Sequence, residues 1–349
     1  RPQNRFVPLE VVPDPEAEAA DGDGSGEPDS QRGPRTEFLA DSSRSIVSRN
    51  DSPDIPFTYS LNPYRGCEHG CAYCYARPSH EFLGFDAGLD FETRIVVKHQ
   101  AADLFRDWLN RPGWEPATIA FSGVTDCYQP IERTLKLTRG CLEVAAEARQ
   151  PIGLITKNAM LVRDLDLLEQ LNRHAAVSVS LSLTTLDAGL ARKLEPRTSS
   201  PEARLRTIAT LSEAGIPVRV MLAPIIPGLT DSEVPAILKA AADAGARSAS
   251  WQMLRLPLAV ETVFVDWVSR TLPDAAERVL GRIRSVRDGQ LSDTQFGRRM
   301  RGTGPLAEQI RSTFEVFAAR HGLDQRLPPL SGDSFRPPTP TSGQLRLFF

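Results

Sequence analysis

The chain has 349 residues, 41% of them hydrophobic and 24% charged, with a formal net charge of −3. That length suits one large α/β domain with flanking segments or two smaller domains, and the charge balance excludes a global basic field for non-specific nucleic-acid binding. With no apolar leader or spanning stretch and five cysteines that do not form a disulfide framework, a reducing cytoplasm and no membrane partner are expected.

In chain order, residues 1–42 read as a disordered acidic lead, because positions 8–36 are rich in Pro, Gly, Asp, Glu and Ala. A barrel core is expected over 43–260. Its candidate strands are Thr58–Leu61, Thr118–Ser122, Ile152–Thr156, Val177–Leu183, Val218–Ala223 and Ser248–Met253, most of them short runs of the kind that buried parallel strands show. Helical periods separate them. Gln100–Asn110 places Ala101, Leu104, Phe105, Trp108 and Leu109 on one face, and Ala159–Arg173 does the same with Leu161, Leu165, Leu168 and Leu171. Ser200–Ala214 and Asp231–Ala244 open on residues suited to an N-cap. Six β/α units predict a parallel sheet with right-handed crossovers. A full barrel needs eight, so an incomplete barrel or a doubly wound sheet is left. A helical extension over 261–326 and a mobile Pro-rich tail over 327–349 complete the chain.

The chemistry gathers after the first strand, where Cys67, Cys71 and Cys74 stand in a CxxxCxxC spacing. Three thiolates from one loop can hold three irons of a cubane cluster and leave the fourth open for a ligand. Gly66 and Gly70 let the backbone curl there. The alternative is a zinc site completed by His69 or His80, although no second ligand pair follows, as structural zinc usually requires.

The loop from Asn62-Pro-Tyr-Arg-Gly-Cys67 to Cys74-Tyr-Ala-Arg-Pro78 resembles the radical S-adenosylmethionine superfamily. Within it, the spore-photoproduct-lyase-like branch is the most similar, in particular its bacterial members with no assigned reaction. The similarity runs from about Ser43 to about His321. It implies a partial (β/α)6 TIM-like barrel, a [4Fe–4S] cluster and S-adenosylmethionine as cosubstrate. It also implies a reductant such as a flavodoxin or a ferredoxin. In such enzymes the open iron chelates the cosubstrate, and its reductive cleavage gives a 5′-deoxyadenosyl radical that takes hydrogen from substrate.

The resemblance also assigns later strand ends. Thr125 and Asp126 are expected at the cosubstrate's amino group and ribose, with a turn cap as the plainer reading of Asp126. Lys157 is expected on its carboxylate. Ser178, Ser180 and Ser182 share one face by the period of two, and a polar ligand would partner them, with Ser178 or Ser180 on that carboxylate. Glu195 and Arg197 are expected near the cosubstrate, against the reading as a surface ion pair. Tyr73 is placed against the adenine, and Tyr75 is a cavity wall or a radical relay, with plain aromatic packing as the other reading of both.

The pattern departs from the lyases in one place. Ser122-Gly-Val-Thr125 carries no thiol ahead of Asp126, so Cys127 is the candidate displaced hydrogen donor, or else a small buried apolar residue. Glu132 reads as a solvated helix start and Cys141 as core packing. Finally, Arg282, Arg284, Arg287, Arg298, Arg299 and Arg301 form either a nucleic-acid patch or a solvated face. A metal-stabilised nucleic-acid-binding protein, zinc or iron–sulfur, without radical chemistry is therefore the alternative function.

Overall fold

The computed structural model describes residues 35–340. Among them, strands β1 (Glu37–Ala40), β4 (Tyr64–Arg65) and β5 (Arg94–Val97) form a small sheet in the order β1-β5-β4. The main sheet holds β2 (Val47–Arg49), β3 (Tyr59–Leu61), β6 (Ile119–Phe121), β7 (Ile152–Thr156), β8 (Val177–Ser182), β9 (Val218–Ile225) and β10 (Ser248–Met253). Its order is β10-β9-β8-β7-β6-β3-β2. From β3 to β10 every neighbouring pair is parallel, and β2 closes one edge antiparallel to β3.

The six parallel strands follow one another in chain order without reversal. A doubly wound sheet reverses its order at a switch point, so this is a partial (β/α)6 barrel. Alternation sorts the strands' side chains. Val177, Val179 and Leu181 of β8 and Val218, Val220 and Leu222 of β9 enter the main hydrophobic cluster beneath the helices. The residues between them face the lumen.

The helices follow their apolar stripes. Helix Ala101–Leu109 buries Ala101, Phe105 and Leu109, spaced by four. The expected helix 159–173 is divided: a 3₁₀ turn over Ala159–Asp164 precedes the helix Leu165–Asn172. Ser200 caps helix Pro201–Glu213 by accepting from Ala203 N at 3.2 Å, as expected of an N-cap serine. Asp231 does not cap helix Val234–Asp243, because its carboxylate accepts from Gly228 N at 2.8 Å.

The two ends of the described chain depart from expectation. Residues 37–40 of the acidic lead form β1, which pairs in register with β5. Residues 1–34 lie outside the described residues. The Pro-rich tail is not loose between 327 and 340. Ser331 N donates to Ala175 O at 3.0 Å, Arg336 N to Ala148 O at 2.9 Å, and Thr339 N to Glu147 Oε1 at 2.7 Å. Phe335 packs on the main cluster, so this segment lies along the amino-terminal ends of β7 and β8. Residues 341–349 lie outside the described residues. Three helices, Ala259–Thr271, Pro273–Ser285 and Gly304–Arg320, follow the barrel, and the last packs on Val234–Asp243. No helix of the described residues is long and apolar enough to cross a membrane.

Candidate active site

The loop after β3 carries the three cysteines in a series of tight turns. Gly70 N donates to Cys67 O at 3.4 Å, Cys74 N to Cys71 O at 3.2 Å, and Arg77 N to Cys74 O at 3.3 Å. Gly66 and Gly70 have φ of 81° and 62°. A Cβ at Gly66 would come within 3.0 Å of the Phe91 and Arg94 carbonyls, and one at Gly70 would run into the Glu92 carboxylate and the Arg197 guanidinium. Both positions therefore need glycine.

Buried polar groups pin this loop from outside. Arg77 donates through Nη2 to Cys71 O at 3.0 Å and to Glu92 Oε1 at 3.1 Å, and through Nη1 to Gly88 O at 2.7 Å. Glu68 accepts from Ile131 N at 2.7 Å, while Glu68 N donates to Gln129 at 2.9 Å. Ala72 N reaches Leu194 O at 3.0 Å. None of these anchors was expected from the sequence.

Cys67 and Cys71 are buried and Cys74 is half-buried, all as free thiols. Burial pushes all three thiol pKa values up, while Lys157 pulls Cys71 and Cys74 the other way. Thiolates at these positions need added positive charge, which a cluster's irons supply. Both histidines of the zinc alternative are engaged. His80 Nε2 is 2.8 Å from Arg94 O, and His69 sits between Asp126 and Asn158, its ring nitrogens 3.4 Å from each. Three thiols of one loop, with both histidines held by other partners, fit an iron–sulfur cluster.

Beside the loop lies a buried polar cluster. Glu195 accepts from Tyr73 Oη, from Thr184 Oγ1 at 2.7 Å, and from Arg204, with Glu195 and Arg204 each about 1% exposed. Burial alone would raise the Glu195 carboxyl. Arg204, Lys157 and the Tyr73 hydrogen bond outweigh it and hold the pKa at about 2. Arg204 is itself oriented by Ser182 O at 3.0 Å and Ser199 O at 2.9 Å. The Lys157 ammonium stands 5.8 Å from the centre of the Tyr73 ring. The structure thus brings together Cys71, Cys74, Tyr73, Lys157 and Glu195 as expected, and adds Arg204, Thr184 and His69. Arg204 carries a faint sequence signal as an arginine beyond a capped helix start, but its inward direction depends on Glu195.

Other expected residues sit differently. The Asp126 carboxylate accepts from Thr156 Oγ1 at 2.7 Å, Tyr128 N at 2.9 Å and Lys157 N at 2.8 Å, with His69 at 3.4 Å. Three of these contacts are hydrogen bonds that engage both carboxylate oxygens within the chain. The turn-cap reading of Asp126 therefore holds in part. Thr125 Oγ1 donates to Tyr64 O at 2.9 Å and ties two loops together. Arg197 is 45% exposed on its side chain and faces outward, bonded to Glu68 O and to Glu92 Oε2 at 2.6 Å. Tyr75 is 47% exposed at the rim, donating to Gly123 O at 3.1 Å beneath Arg255. Cys127 is 0% exposed within the main hydrophobic cluster, together with Cys141 and Tyr128, so it does not line the lumen. Glu132 is not solvated either. It is fully buried and bonded to Tyr64 Oη at 2.5 Å and Arg163 Nη2 at 2.8 Å.

The hydroxyls of Ser178, Ser180 and Ser182 face the lumen and have no hydrogen-bond partner among the described residues. Part of the arginine run is tied into the fold: Arg287 donates to Leu254 O at 2.6 Å, Arg299 pairs with Asp54 at 2.5 Å, Arg298 with Asp293 at 3.3 Å, and Arg301 reaches Trp251 O at 2.8 Å, whereas Arg282 and Arg284 are exposed.

Comparison with known proteins agrees with this geometry. The model of the radical SAM superfamily matches residues 61–241, just over half of the chain. An uncharacterised protein of Mycobacterium tuberculosis is 39% identical over 226 residues, covering 64% of this chain and 66% of that protein. The aligned region is thus just under two thirds of that relative's length. A radical SAM Nα-GlyT isomerase of Pseudomonas phage M6 is 29% identical over 169 residues, covering 48% of this chain and 33% of the isomerase. Among solved structures, spore photoproduct lyase complexed with dinucleoside spore photoproduct superposes with a TM-score of 0.56 at 15% identity, covering 81% of this chain and 79% of the lyase. That likeness is one of fold. This chain belongs to the radical SAM superfamily, a family that uses a [4Fe–4S] cluster and S-adenosylmethionine.

Proposed function

We propose that the protein uses reductive cleavage of S-adenosylmethionine to abstract a hydrogen atom from an organic substrate held in the barrel lumen. One observation carries the reading: the cysteine loop is seated at the carboxyl ends of the strands, with its Tyr73 directly against Lys157 and Glu195. Held by Cys67, Cys71 and Cys74, the cluster would supply the electron for reductive cleavage of S-adenosylmethionine, and that cleavage would supply the radical for hydrogen abstraction.

The chain's own residues bind and orient. Cys67, Cys71 and Cys74 hold the cluster. Lys157, near the Tyr73 ring and the thiols, takes the cosubstrate's carboxylate, while the hydroxyls of Ser178 and Ser180 lie deeper along the barrel wall. Tyr73 spends its hydroxyl on Glu195, so its ring face is what meets the adenine. Asp126 and Thr125 serve as positioning residues: Asp126 fixes the Lys157 backbone and His69, and Thr125 fixes the β6 loop. Tyr75 forms part of the rim wall. Arg197 acts on the cysteine loop through Glu92 and not on the cosubstrate. A small reductant of the flavodoxin or ferredoxin class supplies the electron. Radical chemistry needs a site that excludes water, and the buried polar ties around the loop keep that part of the site closed.

The test is anaerobic reconstitution with iron and sulfide, then dithionite and S-adenosylmethionine. The reconstituted protein should form 5′-deoxyadenosine and methionine, and Cys71→Ala should not. Equal yields from the two proteins would sink the reading.

A further inference from the structure

One cation inside the barrel has no counter-charge. Along β9, Val218, Val220 and Leu222 enter the hydrophobic cluster, which leaves Arg219 on the lumen face. Register pairs Arg219 with Ser180 on β8 and with Ser248 on β10, so a guanidinium stands in the wall between two serines. Arg219 has no hydrogen bond, ion pair or ring contact among the described residues. Burial lowers its pKa, and no neighbouring charge acts against that. The contrast is internal. Arg77, Arg163 and Arg204 each meet a carboxylate, at 3.1 Å and 2.8 Å for the first two.

A half-buried guanidinium with no carboxylate or carbonyl partner presents donors that a ligand bringing acceptors would match. The planar fork of an arginine fits a carboxylate or a phosphate. The neighbouring lumen-facing residues are small: Ser178 pairs with Gly153 and Gly153 with Ala120.

We propose that Arg219, with Ser180 and Ser248 beside it, is an oxyanion subsite for the substrate, so that the substrate carries a carboxylate or phosphate group. The assignment rests on the lumen being the substrate site of the reaction proposed above. Ser180 precedes the carboxyl end of β8, beyond which the Thr184 hydroxyl meets Glu195 in the cofactor cluster, so the subsite lies deeper in the barrel than that cluster.

The test uses titration calorimetry on the reconstituted holoenzyme with inorganic phosphate, succinate and S-adenosylmethionine, for the native chain, Arg219→Gln and Arg219→Lys. Phosphate or succinate should bind the native protein, at least tenfold more weakly to Arg219→Gln, and with intermediate affinity to Arg219→Lys. Which probe binds decides between phosphate and carboxylate. S-adenosylmethionine should bind all three proteins alike. Binding of neither probe by the native protein, equal binding by native and Arg219→Gln, or loss of S-adenosylmethionine affinity in Arg219→Gln would each overturn the assignment. If Arg219→Gln does not fold, the lysine variant carries the comparison, and native-like affinity in it would overturn the bidentate reading. Arginine-dependent probe binding by a native protein that forms no 5′-deoxyadenosine would refute the radical reading and leave the anion site standing.

Discussion

Replacing Arg204 by methionine should be among the most damaging single changes near the site. Arg204 and Glu195 are each about 1% exposed and joined directly. Losing one partner of such a pair leaves a buried charge uncompensated, which costs about 3–5 kcal/mol. With a urea slope of about 3 kcal/mol/M, a loss of about 4 kcal/mol moves the unfolding midpoint by roughly 1.3 M. Glu195→Gln alone should also destabilise, because the guanidinium then faces an amide. The double variant Arg204→Met with Glu195→Gln removes both charges, so its loss should fall short of the sum of the singles by about 2–3 kcal/mol. Urea unfolding of the four proteins under anaerobic conditions measures this. Because Tyr73 hangs on Glu195 and Ala72 on Leu194, iron retained after gel filtration should fall in the single variants as well. Losses additive to within about 0.5 kcal/mol would refute the buried pair as the unit that supports the loop.

Three further outcomes are expected. Cys127→Ala should lose about 1 kcal/mol of stability from a small core cavity yet keep 5′-deoxyadenosine formation, and a block at product formation would place the thiol in the lumen instead. His80 is buried and burial lowers its pKa to about 4. Between pH 6.5 and about 4 only the unfolded chain takes up that proton, so stability falls by about 1.4 kcal/mol per unit as pH drops through the window. Stability curves of native and His80→Gln proteins should therefore converge on acidification, and parallel curves would contradict the burial. Truncation after Arg326 removes the bonds of Ser331, Arg336 and Thr339 and the packing of Phe335. It should cost roughly 2–4 kcal/mol and lower the melting temperature, whereas a loose tail would leave melting unchanged.

The six barrel strands are legible in the sequence because buried parallel strands are apolar on the helix side whatever surrounds them. Ile152–Thr156 and Ser248–Met253 fall where expected to the residue. The small sheet is not legible. β4 has two residues and β1 lies in a polar stretch, so each exists only through pairing with β5. The site divides in the same way. The cysteine spacing is local and readable. Whether a carboxylate is free for a ligand depends on donors from elsewhere in the chain, and Asp126 is engaged by Thr156, Lys157 and His69. Arg197 and Arg204 differ only in which side of the loop they reach. The Pro-rich composition of the tail reads as mobility, but its backbone donors find carbonyls at the ends of β/α units.

The open iron at the cysteine loop is the central claim, and electron paramagnetic resonance of the dithionite-reduced protein addresses it most directly. Native protein should give the signal of a reduced [4Fe–4S] cluster, and adding S-adenosylmethionine should change that signal because the cosubstrate binds the iron that lacks a cysteine. Lys157→Ala should need more cosubstrate for the same change. A cluster signal that S-adenosylmethionine leaves unaltered at saturation would contradict the account.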